Sequence, residues 1–217
     1  MPVMLVLALM AKRPVTKAKK KPSRTYHHGT LRAALIEATL RLVEEGGPEA
    51  VTVREAARRA GVSSGAPFRH FPNRTVLMTA VAEEATHRLH AAVMAAVEPL
   101  ADQPPLVQLR AIGRAYLQWA SDNPTHFAVV SNRGLIDYES SPSMQRENED
   151  IQALMGRLLD AAGAPAGAKL AARALVYGLA RMRVDGHLPQ WGVASSQEAL
   201  AAMDAALDLF LEGLLRP

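Results

Sequence analysis

With 217 residues, 49% of them hydrophobic and 21% charged, the chain has apolar material for one or two cored domains and no polar tract that would keep it disordered. It has no cysteine, which excludes disulfides, thiolate metal sites and a cysteine nucleophile. Its net charge of +4 is unevenly spread: residues 1–75 hold 14 Lys and Arg against 5 Asp and Glu, and the remainder holds 11 against 16, the footprint of a polyanion-binding module on an acidic body.

Residues 1–11 are nearly all apolar, with the positive charges after them. A signal peptide places its charges first, and the run is too short to span a bilayer. Met10-Ala11-Lys12-Arg13 reads as a second start, so translation is expected to begin there and residues 1–9 to be a gene-model extension; an intact mass of the native product tests this. A basic, Pro-containing arm over residues 12–28 follows, self-repelling without a partner. It holds seven of the early positives, so the charge split supports a nucleic-acid partner without proving one.

From Thr30 the helical period begins: Leu31, Leu35, Ala38 and Leu42, widened by Leu40 and Val43, ending at Gly46-Gly47-Pro48. Thr52-Val53-Arg54-Glu55 has the form of a capping box. Its helix carries Ala56, Ala57 and Ala60 and stops at Gly61. A short helix over 64–70 is expected next, then a long one over 74–100. Further helices are expected over 106–122, over 124–132 with Asn123-Pro124 as N-cap and N1, over 142–162, 168–186 and 196–215. No alternating strand pattern occurs, so the class is all-α with about nine helices. The expected division is an arm over 1–25, a reading head over 26–73 and a helical body over 74–217.

Residues 52–71 read as helix, tight turn, helix. Ala57 is small where two helices would cross, and Gly61, four residues on, tolerates positive φ. Val62, Phe68 and Phe71 are candidate apolar pins. An ordinary αα-hairpin shares the Ala-to-Gly spacing. The basic arm, two helix N-termini at Thr52 and Ser63 able to donate N–H groups to phosphate, and a second helix too short and polar for core favour a DNA-reading helix-turn-helix.

The run from Thr52 through Arg74, including Ala57-Arg58-Arg59-Ala60-Gly61-Val62-Ser63 and Phe68-Arg69-His70-Phe71-Pro72-Asn73, resembles the DNA-binding signature of the tetracycline-repressor-like (TetR) family. Tyr26-His27-His28-Gly29 and residues 116–127 resemble the subgroup named for a Trp-His-Gly motif in its C-terminal domain. The resemblance implies a three-helix head, a connecting helix, and a ligand-binding, dimerising body. It implies that Thr52 caps its helix and touches phosphate, and that Ser63, Ser64, Gly65 and Ala66 open the recognition helix over base edges. It places Arg69 on base or phosphate, His70 and Arg74 on phosphate, and Tyr26 and His28 in a DNA-facing arm. Phe68 stands where the family commonly has Tyr, losing a hydroxyl; Ala66 and Pro67 offer apolar contact to thymine methyls.

Elsewhere the competing readings are plainer. Glu83, His87 and His90 share a helix face at a spacing that suits zinc, but no fourth ligand is indicated, so a solvated polar face is expected. His126 and His187 are expected to be structural. No dinucleotide loop, P-loop, zinc-protease or serine-hydrolase motif occurs, and no enzyme, metal or cofactor is called for. Tyr116, Trp119, Phe127, Met144, Leu154 and Met155 are candidate walls of an apolar ligand pocket. Ala171, Ala174, Leu175, Gly178 and Met182, with Ala199, Met203, Ala206, Phe210 and Leu214, make two close-packing faces; the resemblance implies that they pair across a two-fold.

The expectation is a cytoplasmic, homodimeric, ligand-responsive repressor that grips a near-palindromic double-stranded operator and is released by a small apolar effector. The alternatives are a nonspecific nucleoid-type DNA binder, or a helical small-molecule binder or enzyme with a vestigial head.

Overall fold

Leu35, Ala38 and Leu42 recur at the helical period, and the helix they build, α1 (His28–Gly46), buries all three. It opens a computed structural model that describes residues 28–214, with no strand among them. α2 (Val53–Arg59) starts where Thr52 Oγ1 accepts the Glu55 N–H at 3.0 Å. The reciprocal half of the expected capping box is not made, because Glu55 turns its carboxylate to Arg58 Nε and Nη2 at 2.9 and 2.5 Å. The complete box lies at Ser195 and Glu198, a Ser-x-x-Glu signal that the sequence reading passed over.

Gly61 adopts φ +71°, where an L side chain is strained, and Ala57 is fully buried beneath the turn. The Val62 N–H closes the turn onto the Ala57 carbonyl at 3.1 Å. The expected helix over 64–70 is shorter and tighter: Ser64 and Gly65 form a turn, and a 3-10 segment covers Pro67–Arg69 alone. Gly65 raises the cost of helix and Pro67 has no N–H to donate, so an i→i−4 ladder does not start here. This accounts for eight α-helices among the described residues where about nine helices were expected.

α3 (Arg74–Val97), capped by Asn73 Oδ1 on the Val76 N–H at 2.9 Å, is the spine. α4 (Pro105–Asp122), α5 (Pro124–Val130) and α6 (Pro142–Ala161) each begin with Pro at N1, where its missing N–H costs nothing. Asn123 does not cap α5 as expected; its amide closes the end of α4, donating to the Trp119 carbonyl at 2.9 Å. α7 (Ala168–Val184) and α8 (Ser196–Gly213) complete the chain.

Two cores form. In the head, Leu35, Val53, Ala57 and Phe71 pack with Leu77 and Val81 from the first turns of α3, and with Val129, Leu135, Ile136 and Met144 from beyond it. The boundary expected at residues 73–74 thus falls inside one continuous core rather than at a gap in packing. The body core joins the later turns of α3 (Ala85, Leu89, Val93) to α4, α7 and α8. α4 and α8 approach closely at Gly113, where an added Cβ would stand 2.6 Å from Leu207 Cδ2. Flanking that contact, Arg110 pairs with Asp208, and Arg114 with Asp204 at 2.8 Å.

Candidate nucleic-acid interface and ligand cavity

At the tip of the head Ser63, Ser64, Gly65, Phe68 and Arg69 are exposed and Ala66 is half-buried. Pro67 is buried, so it is a pin beside Phe71 rather than an apolar reader. Phe68 takes the outward place, 41% exposed, and is not the pin that its type suggested. The tight 3-10 geometry after Gly65 causes this exchange, since the side-chain directions differ from those of an α-helix. Arg58 and Arg59 are held by Glu55 and Glu45, and their hydrogen bonds keep both carboxyls below the usual range. Arg69 and Arg54 stand exposed with no carboxylate partner among the described residues. Arg54, in the first turn of α2 beside Thr52, was not singled out from sequence, although its position after the cap marks it.

Arg74 is turned inward. Its Nη2 donates to the Pro48 carbonyl at 2.9 Å and lies 3.6 Å from Glu49, tying the α1–α2 loop to α3. That geometry suits a brace more than the phosphate contact expected of it. His70 is half-buried, its ring 6.3 Å from that of Phe71. Tyr26 lies outside the described residues, and His28 enters as the first residue of α1.

The face of Glu83, His87 and His90 is cross-linked rather than loosely solvated. His87 Nδ1 lies 2.8 Å from Glu147 and His90 Nε2 3.3 Å from Asp150, joining α3 to α6. Glu83 accepts from Arg32 at 3.1 Å and from the Ser141 hydroxyl at 2.9 Å. Among the described residues no group of three or more potential ligands converges on a metal position. His126 is half-buried, and burial, then Arg88, pushes its pKa down; neither it nor the exposed His187 lines the cavities of the helical body.

Within the body a cavity of about 320 Å³ lies between α3, α4, α6, α7 and α8. A smaller one of about 210 Å³ adjoins it, sharing Tyr116, Arg133, Tyr138, Asn148 and Arg173. Tyr116 and Met155 line the larger space; Tyr116, Phe127 and Met144 line the smaller. Trp119 and Leu154 line neither, being packed into and against the body core. Sequence reasoning missed the polar lining. Arg133 lies 3.5 Å over the Tyr138 ring, and Arg173 is 5.0 and 5.4 Å from the rings of Tyr116 and Tyr177. Burial raises the Tyr116 hydroxyl above its ordinary pKa, so it stays a neutral donor.

The segment over residues 131–141 connects these regions. Arg133 and Tyr138 face the cavity, while the Asp137 N–H donates to Thr79 Oγ1 at 2.9 Å and Ser141 reaches Glu83. Thr79 and Glu83 belong to α3, at the base of the head.

On the outer side of the body, Ala171 and Ala174 are exposed and Leu175, Gly178 and Met182 half-exposed along α7, with Leu170 74% exposed at its start. On α8 the expected face is split. Ala199 and Met203 lie inside the protomer's own core, and Ala206, Phe210 and Leu214 are half-buried. The outward row is Ala201, Ala205 and Leu209, the last 67% exposed. α8 has apolar residues on both sides of its Asp204, Asp208 and Glu212 stripe, so its period alone does not say which side turns in.

Two family models match the chain: one described as bacterial regulatory proteins of the tetR family over residues 35–81, and one described as a tetracyclin repressor-like C-terminal domain over residues 109–207. The description of the second names no Trp-His-Gly subgroup. The HTH-type transcriptional regulator BetI of Cronobacter sakazakii is 30% identical over 128 residues, 59% of this chain and 61% of that protein. The matched stretch thus spans about three fifths of that relative's length. An HTH-type transcriptional repressor of Mycobacterium tuberculosis is 36% identical over 72 residues, 33% of this chain and 37% of that protein. A solved structure of a protein of unknown function from Rhodococcus sp. RHA1 superposes with a TM-score of 0.70 at 29% identity, covering 89% of this chain and 100% of that one.

Proposed function

Because this chain belongs to the TetR family of bacterial regulators, we propose that it is a repressor that binds a near-palindromic operator as a homodimer and lets go when a small molecule fills its body cavity. The observation that carries this reading is the double membership of α3. Its first turns lie in the head core beneath the reading tip, and Leu89 and Val93 further along wall the cavity. A ligand that displaces the later turns therefore moves the tip. It needs only to bind the DNA-free arrangement more tightly, with a coupling of about 1–3 kcal/mol.

At the tip, Ser63, Ser64 and Gly65 approach the base edges, Phe68 supplies an apolar contact, and Arg69 and Arg54 meet bases or phosphate. The apolar rows of α7 and α8 pair with those of a second copy, which sets the two tips on successive major grooves. Acting on chromosomal DNA, the protein works in the cytoplasm; no helix among the described residues is long and apolar enough to cross a membrane.

Selection of bound fragments from the host genome by the full chain tests the reading. One near-palindromic site, preferred at least about a thousandfold over random DNA, is the expected result. Equal binding to all DNA with a steep salt slope would replace it with the nucleoid-type reading. Retained small-molecule binding with no DNA binding at all would mark the head as vestigial.

A further inference from the structure

We propose that the molecule this cavity takes is an amphipathic organic anion: an aryl or acyl body carrying one carboxylate, whose oxygens sit between Arg133 and Arg173. This rests on the reading of the cavity as the effector site. The walls divide cleanly by chemistry. Leu89, Val93, Leu109, Ile112, Ile151 and Met155 supply an apolar floor, while the charged lining is Arg133, Arg173 and Lys169, with no Asp or Glu in either adjoining space.

Many of the other arginines are neutralised: among the described residues nine, from Arg32 to Arg181, lie within ion-pair distance of a carboxylate, although Arg54, Arg69, Arg146, Arg157 and Arg183 do not. Arg133 and Arg173 have ring faces instead of acids, and the rings hold them at the cleft without cancelling their charge. A concave, largely apolar wall focuses the field of such cations on whatever enters. Guanidinium forks suit a carboxylate, with which they form paired charge-assisted hydrogen bonds. A neutral ligand such as an amide returns only an uncharged acceptor, whose hydrogen bonds to guanidinium are weaker than a carboxylate's. A cationic ligand meets the like charge of Arg133, Arg173 and Lys169, with Arg133 already stacked on the Tyr138 ring.

The same arrangement sets where the anion acts. Drawing Arg133 off Tyr138 pulls on the segment that Asp137 and Ser141 anchor to Thr79 and Glu83 of α3. Binding energy spent at one arginine thus reaches the base of the head through two hydrogen bonds.

A charge series on one body tests the assignment with the full chain. The probes are 4-butylbenzoate, 4-butylbenzamide and 4-butylbenzylamine, repeated as decanoate, decanamide and decylamine, each titrated calorimetrically. In at least one series the carboxylate is expected to bind about tenfold to a hundredfold tighter than its amide, and the amine weakest. Arg173→Gln and Arg133→Gln should each erase most of that advantage while leaving the amide's affinity in place, which also reports that the variant is folded. Amides that bind as tightly as carboxylates, or variants that keep the carboxylate's advantage, would overturn the proposal while leaving the effector cavity standing. Six probes that neither bind nor release the protein from its operator would remove the cavity reading and this inference together.

Discussion

Head and body both carry exposed arginines that no carboxylate neutralises, and they differ in what lies beside them. On the head, Arg54 and Arg69 stand on an exposed tip beside Phe68 and two serines. In the body, Arg133 and Arg173 lie across tyrosine rings at a cleft floored by Leu and Ile. A cation on an exposed tip stays hydrated until a polyanion meets it, and its contribution falls with salt. A cation on a concave apolar wall keeps more of its field and serves one small charge at a time. The same residue type thus fits two kinds of ligand, and shape selects between them.

That contrast should break most visibly at the surface joining two copies. Leu209→Asp places a carboxylate in the proposed α7–α8 pairing face from both sides. Sedimentation should show at least about a hundredfold loss of dimer affinity, because neither charge finds a partner once buried. Operator binding should vanish with it, whereas the body cavity, complete within one protomer, should keep its ligand. Smaller in effect, Arg69→Ala should weaken operator binding by about 1–3 kcal/mol and relax base preference at one position. Arg54→Ala should weaken all DNA alike and lower the salt slope by about one. Neither should move effector affinity, and a change in both ligands would undo the division of labour between the two arginine sets.

Gly113→Ala sharpens the body side. Its new Cβ would overlap Leu207, which is itself buried, so thermal unfolding should report a loss of about 1–2 kcal/mol. Gly113 also lines the cavity, so effector affinity should fall while DNA affinity per folded dimer holds. The smallest effect is acid sensitivity on α8. The Arg110 hydrogen bond holds Asp208 below its ordinary 3.8, and the Ser195 backbone N–H holds Glu198 below 4.5. A carboxyl depressed on folding stabilises fully above its unfolded pKa and loses that contribution as pH falls through the lower folded value. The melting temperature should therefore be insensitive to these groups near neutrality and decline below about pH 4.5, less so in Asp208→Asn.

Much of the head was legible before any coordinates. Thr52, Ala57 and Gly61 act through neighbours within a few residues, and such signals survive in a linear reading; the Asn73 cap of α3 is equally local but was passed over. The recognition segment was legible in place but not in form, because Gly65 and Pro67 together tilt a short stretch from α to 3-10 geometry and exchange Phe68 for Pro67 at the surface. The brace that Arg74 makes was not legible, since Pro48 and Glu49 become its neighbours only when the α1–α2 loop folds back.

The order of helices, their Pro boundaries, the Thr52 cap of α2 and the glycine turn were determined by the amino-acid sequence alone, through hydrogen bonds and dihedral limits that span no more than one helical turn. Only the tertiary structure decided which side of α8 faces inward, because Ala199 and Met203 are no more apolar than the outward Ala201, Ala205 and Leu209. It alone brought Arg133 and Arg173, some forty residues apart in the chain, to one cleft. Packing chose among faces that hydrophobic periodicity leaves equivalent, and it assembled the cavity from residues with no local relation to one another.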